Sequence, residues 1–361
     1  MGAIKLSLFK DMLGADETLF KNPIALDYDY QPKLVPYRVL EQRTIVNCIK
    51  PLFQQRNGKN ALVYGAPGVG KTVATKHIIR ELEEETDEII PVYINCWQKN
   101  TSYKIILELC EAIGYRFIQN KNTEELFRIV KNVLNKKAAV IVLDEIDKLD
   151  SLDILYNLLE DLYRKTIVLI TNYKEWALNL DDRIKSRLTP EMIEFKAYNL
   201  FETRGILKER IKFAFIDGVW SDEAFNLVAK KTFELGDIRI GLHLLREAGQ
   251  TAENASSRKV GVEHVSIAIK KIDEFSIKKS SELEDETKFI LAIVKKNSGE
   301  RIGELFKIYQ KEGGKGVYKT FQRKIGKLAE GKFVSLQRIE GGAEGNTTLV
   351  KYSSNRSLKD F

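Results

Sequence analysis

A chain of 361 residues, 43% hydrophobic and 30% charged, is long enough for two or three domains and too apolar to be disordered throughout. No apolar run is long enough to cross a bilayer, and Met1 to Leu13 lacks the layout of a secretory leader, which predicts a soluble, cytoplasmic protein with no membrane partner. The net charge is +7, and Leu283 to Phe361 carries 16 Lys/Arg against 10 Asp/Glu, a surplus of six, so most of the basic excess sits at one end and predicts a polyanion partner.

Cys48, Cys96 and Cys110 lack C-x-x-C spacing, and His77, His243 and His264 are scattered, which reads as buried thiols and no metal cluster. Met1 to Gln31 mixes short apolar stretches with polar turns and reads as an arm packed on the body. Pro32, Pro36 and Tyr37-Arg38 lead into a helix expected over Val39 to Phe53.

A short apolar strand, Asn60 to Tyr64, runs into Gly65-Ala66-Pro67-Gly68-Val69-Gly70-Lys71-Thr72, and Val73 to Leu82 follows with helical periodicity. This is a complete G-x-x-x-x-G-K-[ST] phosphate loop in its strand–turn–helix context. Its glycines let backbone N–H groups curl around phosphate oxygens at a positive helix N-terminus. Lys71 is placed to reach the β- and γ-phosphates of ATP, or the β-phosphate of ADP, and Thr72 to hold Mg²⁺, with the loop and Val73 as the nucleotide shell.

After an acidic turn at Glu83 to Glu88 come a strand over Ile89 to Asn95 and amphipathic helices over Ser102 to Ile113 and Thr123 to Asn135. The continuous apolar run Ala138 to Leu143 reads as a strand buried on both faces, hence a parallel central sheet, and it ends in Asp144-Glu145 at the ligand-binding edge. Asp144 is assigned to Mg²⁺ and Glu145 to the attacking water. A further strand, Ile167 to Thr171, ends in Asn172, a candidate γ-phosphate contact. Arg183, Lys185 and Arg187 cluster either as a solvated helix face or as arginine fingers for a neighbouring subunit.

From Asn199 to Lys279 the pattern is helical, with segments at Phe201–Phe215, Ser221–Phe233, Ile238–Ala255 and Val262–Ile277. Arg239 stands in the first turn of the third segment, where a cation opposes the helix dipole, so an anion is expected beside it, either Asp237 or a phosphate. Lys278 to Ser281 reads as a linker. Three helices (Glu284–Lys296, Ile302–Lys311, Val317–Ala329) and two strands (Phe333–Ile339, Thr347–Tyr352) joined by Glu340 to Asn346 give the order of a winged helix. Its third helix carries Lys319, Arg323, Lys324 and Lys327 either for a major groove, with Arg338 on the wing for phosphates, or as the surface of a protein-interaction module, and the charge surplus favours DNA.

With Asp29-Tyr30-Gln31-Pro32, Pro36-Tyr37-Arg38, Tyr93-Ile94-Asn95-Cys96, Leu143 to Asp147, Thr171-Asn172 and Gly236-Asp237-Ile238-Arg239 added to the phosphate loop, the chain resembles the archaeal origin-recognition/cell-division-control initiator family of AAA+ ATPases. The resemblance covers the chain well to about residue 280. It implies an AAA+ α/β domain at 1–197, a helical lid at 198–280 and a winged helix at 281–361. It further implies nucleotide contacts at Tyr37 and Arg38, sensor roles for Asn172 and Arg239, and a finger at Arg183 or Arg187, with Arg187 leading. The helices between Asn95 and Ala138 are similar to the family's DNA-contacting insertion, which makes Lys99, Lys104 and Arg116 candidate contacts. The wording of the third winged-helix helix departs from the family's, as in a divergent paralogue.

The implied function is an ATP/ADP-switched initiator with slow hydrolysis that binds double-stranded origin DNA, with other initiator subunits or paralogues and the replicative helicase as partners. Two rivals stand beside it. A clamp-loader-like motor needs partner subunits for turnover and does not hold a duplex alone. A winged-helix transcription regulator footprints at promoters without origin activity.

Overall fold

The computed structural model describes residues 18–281, 285–314, 316–330, 333–339 and 347–352. They fall into two compact units, one ending at residue 262 and the other beginning at 263.

The first unit is built on five parallel strands: β1 (Ala61–Tyr64), β2 (Ile89–Asn95), β3 (Ala138–Asp144), β4 (Lys165–Thr171) and β5 (Glu191–Glu194), in the order β2-β3-β4-β1-β5. Every residue of β3 and β4 is buried, as expected of central strands covered on both faces. The two-residue side-chain period divides β3 between two cores. Ile141 and Leu143 face α3 (Ser102–Ala112), α4 (Thr123–Leu134), α5 (Asp153–Asp161) and α6 (Asp182–Leu188), through Ile105, Leu126, Leu158 and Ile184. Val140 and Val142 face α1 (Val39–Ile49) and α2 (Lys71–Glu85), through Ile45 and Ile78. Each such aliphatic side chain contributes about 1.5–3 kcal/mol by leaving water, so the sheet is a rigid platform for the loops at its C-terminal edge.

Local chemistry sets the element ends. The helix expected over Val39 to Phe53 stops as an α-helix at Ile49 and tightens to a 3-10 turn over Lys50–Gln54, because Pro51 has no N–H to give the α ladder. α4 starts in a reciprocal cap between Asn122 and Glu125. α5 and β5 have no counterpart in the sequence reading. The first is a nine-residue helix, and the second buries only Ile193 among its four residues.

Three helices follow: α7 (Leu200–Ala214), α8 (Asp222–Leu235) and α9 (Ile238–Asn254). α7 opens in a second reciprocal cap, Asn199 with Glu202. Gly236, at φ 65°, ends α8 in the left-handed conformation, so one residue later Asp237 caps α9. Part of the arm, residues 18–31, runs across this layer; the rest of it lies outside the described residues. Phe20 stacks on Phe215 with centroids 4.6 Å apart, Leu19 N donates to Glu253, and Arg246 pairs with Asp27.

α10 (Val262–Ser281) carries the chain into the second unit. It continues through Lys278 to Ser281, correcting the linker reading, since Lys and Ser are tolerated in a helix and neither Gly nor Pro interrupts it. The second unit contains α11 (Asp285–Lys296), α12 (Ile302–Lys311), α13 (Tyr318–Glu330) and an antiparallel sheet in the order β6-β8-β7, with β6 at Glu300–Arg301, β7 at Val334–Ile339 and β8 at Thr347–Tyr352. Ile290, Leu305, Tyr309, Phe321, Ile325 and Val350 form its core. This is a winged helix with one more short strand, β6, than the sequence reading supplies. The turn at Glu340 to Asn346 lies outside the described residues. No described helix is long and apolar enough to cross a membrane.

Candidate functional site

The phosphate loop joins β1 to α2. Three backbone positions make it possible: Gly65, Gly68 and Gly70 stand at φ 150°, 77° and 88°. At Gly65 a Cβ would overlap the Phe195 carbonyl, and at Gly68 it would overlap the Asp237 carboxylate, so these two glycines also allow close approach. Val69 is buried in the core beneath the loop.

Lys71 Nζ donates to Gly65 O (2.8 Å), Ala66 O (2.9 Å) and Asn172 Oδ1 (2.8 Å), which satisfies all three of its hydrogens. Burial pushes its ammonium down to about 8, against the pull of Asp144. The lysine and the strand-tip asparagine therefore converge on one spot, as the sequence reading requires of phosphate contacts.

At the tip of β3, Asp144 Oδ2 accepts from Thr72 Oγ1 (2.7 Å) and Tyr93 OH (2.6 Å), while Oδ1 accepts from Glu145 N (2.9 Å). A carboxylate and a hydroxyl joined this way, at the loop's mouth, are an oxygen donor pair suited to Mg²⁺ carried on a nucleotide. Among the described residues no cluster of three His, Cys, Asp or Glu could hold a metal without it. Glu145 sits at φ 56°, a left-handed conformation that costs a non-glycine residue about 1 kcal/mol or more and here turns its side chain out of the strand direction. Burial, and then the Asp144 carboxylate, raise its carboxyl above the ordinary range, as suits a group that handles a proton.

These groups line one cavity of about 340 Å³. Pro67, Gly68, Gly70, Lys71, Thr72, Val73, Asp144, Glu145 and Asn172 form its polar end. Pro32, Leu34 and Val35, before α1, and Ile206, Phe213 and Leu242 of α7 and α9 give it apolar walls, beside Asp29, Glu209 and Arg210. Arg239 reaches the same cavity from the first turn of α9. Its guanidinium is held by Asp237, with Nε 3.0 Å from Oδ1 and Nη2 2.6 Å from Oδ2. The anion expected beside Arg239 is thus Asp237.

Other predicted residues are placed differently. Neither Tyr37 nor Arg38 lines the cavity. Arg38 is buried behind the loop, donating to Val69 O (3.0 Å), Lys196 O (2.5 Å) and Glu41 (2.9 Å), with its guanidinium 3.9 Å from the Tyr198 ring centroid. A head group with these partners braces the loop from behind. Tyr37, at φ 65°, puts its hydroxyl against Gly205 of α7, where a Cβ would overlap it. Arg183 and Arg187 lie on α6, also away from the cavity. Arg187 pairs with Glu160 and Arg183 is held by Asp181 at 3.1 Å, the latter far more exposed.

Tyr93 and Asp147, next to the cavity residues Asp144 and Thr171, have no assigned role in the sequence reading. Tyr93 holds Asp144, and burial together with Asp144 pushes its phenol far above the usual value, so it remains a donor. Asp147 accepts from Thr171 Oγ1 (3.2 Å) next to Asn172. Tyr93 on β2 reaches the tip of β3, and Asp147 in a 3-10 turn reaches the tip of β4, contacts that carry no local signal.

On the proposed DNA surfaces, Lys104 and Arg116 are exposed, and Lys99 pairs with Glu108. The α3–α4 turn also exposes Phe117, 78% accessible beside Arg116. On α13, Lys319, Arg323 and Lys327 are exposed. Lys324 is buried, its Nζ 2.5 Å from Glu286 of α11. It stands between Phe321 and Ile325 on the core side of the helix, so it ties α13 to α11 instead of facing outward. Arg338 lies on β7, with its side chain outside the described residues.

Family models for an AAA domain and for a Cdc6 AAA+ ATPase-type lid domain match residues 54–174 and 204–270. An ORC1-type DNA replication protein 1 of Sulfurisphaera tokodaii is 35% identical, covering 93% of this chain and 91% of that protein. The structure of the Aeropyrum pernix ORC1 protein in complex with DNA aligns at a TM-score of 0.66 and 28% identity, covering 92% of this chain and 93% of that one. The Aeropyrum pernix ORC2 protein, at 17% identity and a TM-score of 0.71 over 94% and 95% of the two chains, shares the fold. At 35% identity over nearly the whole of both chains, this chain belongs to the ORC1-type family of AAA+ DNA replication proteins.

Proposed function

We propose that this chain is a replication initiator that binds double-stranded origin DNA and is switched by ATP and ADP, with slow hydrolysis. The observation that carries the reading is one chain holding both a phosphate loop completed by Asp144 and a winged helix with Lys319 and Arg323 exposed on its third helix. In this reading Lys71 and Asn172 meet the terminal phosphates, and Thr72 and Asp144 hold Mg²⁺, which supplies charge neutralisation at the phosphates. Glu145 orients and polarises a water. Arg187, with Arg183 as the alternative, serves a neighbouring subunit's nucleotide, since neither lines this chain's own cavity. The division into an AAA+ domain (1–197), a lid (198–280) and a winged helix (281–361) goes with it.

DNA contacts are assigned to Lys319, Arg323 and Arg338 on the winged helix and to Lys99, Lys104 and Arg116 at the α3–α4 hairpin. Partners are other initiator subunits or paralogues and the replicative helicase, in the cytoplasm at the nucleoid. The test is fluorescence anisotropy on labelled duplex over a salt series. Charge neutralisation at phosphates predicts affinity falling steeply with salt, and loss of most of that slope on deleting residues 282–361. An unchanged slope after the deletion contradicts the winged-helix assignment.

A further inference from the structure

Asp237 does two things at once. Its Oδ1 accepts from Arg239 N (2.9 Å), capping α9, and both its oxygens grip the Arg239 guanidinium. It also sits against the crown of the phosphate loop. A Cβ at Gly68 would overlap its carboxylate, and Ile238 N lies 3.4 Å from Gly68 O. The site therefore keeps a negative charge beside the loop that receives phosphates, paired with the one cation that α9 contributes to the cavity.

We infer that Asp237 sets the preference for nucleoside triphosphate over diphosphate, by competing with the terminal phosphate for Arg239. The inference rests on the nucleotide-site reading and adds a positioning role to it. Asp237 takes the Nε–Nη2 edge of the guanidinium, so a ligand that needs that edge draws Arg239 away only by offering oxygens with more charge at the same place. A diphosphate, ending one phosphoryl group short, leaves Arg239 on Asp237. A triphosphate takes it, and because Arg239 is in the first turn of α9, the exchange moves the attachment of that helix from Asp237 to the ligand. Asp237 also repels phosphate directly, which raises the threshold for both nucleotides. Capping alone needs none of this, since Asn or Ser caps a helix about as well.

The test is calorimetric titration of the full chain with ATP and with ADP, for wild type, Asp237→Asn, Arg239→Ala and the double variant, with Asp237→Ser as a second cap-preserving change. Melting temperatures check that the cap survives. Asp237→Asn is expected to raise the ratio of ATP to ADP affinity by roughly two- to fivefold, the scale of one partly exposed ion pair. The same substitution in the Arg239→Ala background is expected to leave the ratio unchanged. Equal movement of both affinities, or a ratio change that persists without Arg239, overturns the inference and leaves Asp237 as a cap. A wild-type chain that binds neither nucleotide overturns the site reading itself, and this inference with it. Wild-type binding with an unchanged ratio in Asp237→Asn overturns this inference alone.

Discussion

Lys71 Nζ and Asn172 Oδ1 lie 2.8 Å apart, joining the first turn of α2 to the tip of β4 across the loop that separates them by a hundred residues of chain. Phosphate oxygens entering the cavity would replace this bond and the two to Gly65 O and Ala66 O. Lys71→Ala is expected to cut nucleotide affinity about ten- to a hundredfold, the worth of one charge-assisted contact at roughly 1.5–3 kcal/mol. Calorimetry with ATP and ADP measures it. Glu145→Gln is expected to keep ATP binding and lose turnover, whereas a parallel loss of both would make Glu145 a structural residue.

Tyr93 gives Asp144 one of its two hydroxyl donors, and Thr72 gives the other. Tyr93→Phe removes only the oxygen. A hydrogen bond of this kind is worth about 1 kcal/mol, so a few-fold loss of nucleotide affinity is expected with Mg²⁺ present and none with Mg²⁺ chelated. An equal loss in both conditions would mean that Tyr93 supports the fold and not the metal-facing geometry of Asp144.

Arg38 braces the back of the phosphate loop through Val69 O and Lys196 O. Lysine cannot reproduce that fork or the stacking on Tyr198. Arg38→Lys is expected to lower stability by roughly 2–4 kcal/mol, as for a broken buried polar network, and to weaken nucleotide binding through the loop. Denaturant unfolding with and without nucleotide checks it. Full stability with impaired binding would return Arg38 to the ligand contact that the sequence suggests.

On α13 the structure separates two neighbours. Arg323→Ala is expected to weaken duplex binding several-fold without changing the melt of the winged helix, and Lys324→Ala to lower that melt by about 1 kcal/mol through loss of its partly exposed pair with Glu286. Lys324, and then Tyr309, hold the Glu286 carboxyl below its ordinary range. A depressed carboxyl contributes stability above its unfolded value and loses it as pH falls through the folded one. The winged helix should therefore be less stable in acid, with a smaller acid loss in Lys324→Ala. Thermal melts from neutral pH down to about pH 3 measure the difference; identical acid profiles would contradict the pairing.

The phosphate loop and Ala138 to Glu145 are legible in sequence because each is a contiguous run whose residue types dictate its own conformation: glycines at positive φ, and apolar residues buried on both faces of a strand. The four long helices from Leu200 to Ser281 are legible by their period. What escapes is non-local or short. Ile193 is the one buried residue of β5, too little to mark a strand. Arg38 looks like a ligand residue until Val69, Lys196 and Tyr198 surround it. Lys324 shares a helix with Arg323, one residue apart, and only the phase set by Phe321 and Ile325 turns it inward.

The central claim is that this chain acts where replication begins. The most direct measurement is a genome-wide map of its binding sites compared with mapped replication start sites in the same cells. The account predicts occupancy concentrated at start sites, and lost there in a variant carrying Lys319→Ala and Arg323→Ala. Occupancy at promoters away from any start site would contradict it and would favour a transcription regulator built on the same winged helix.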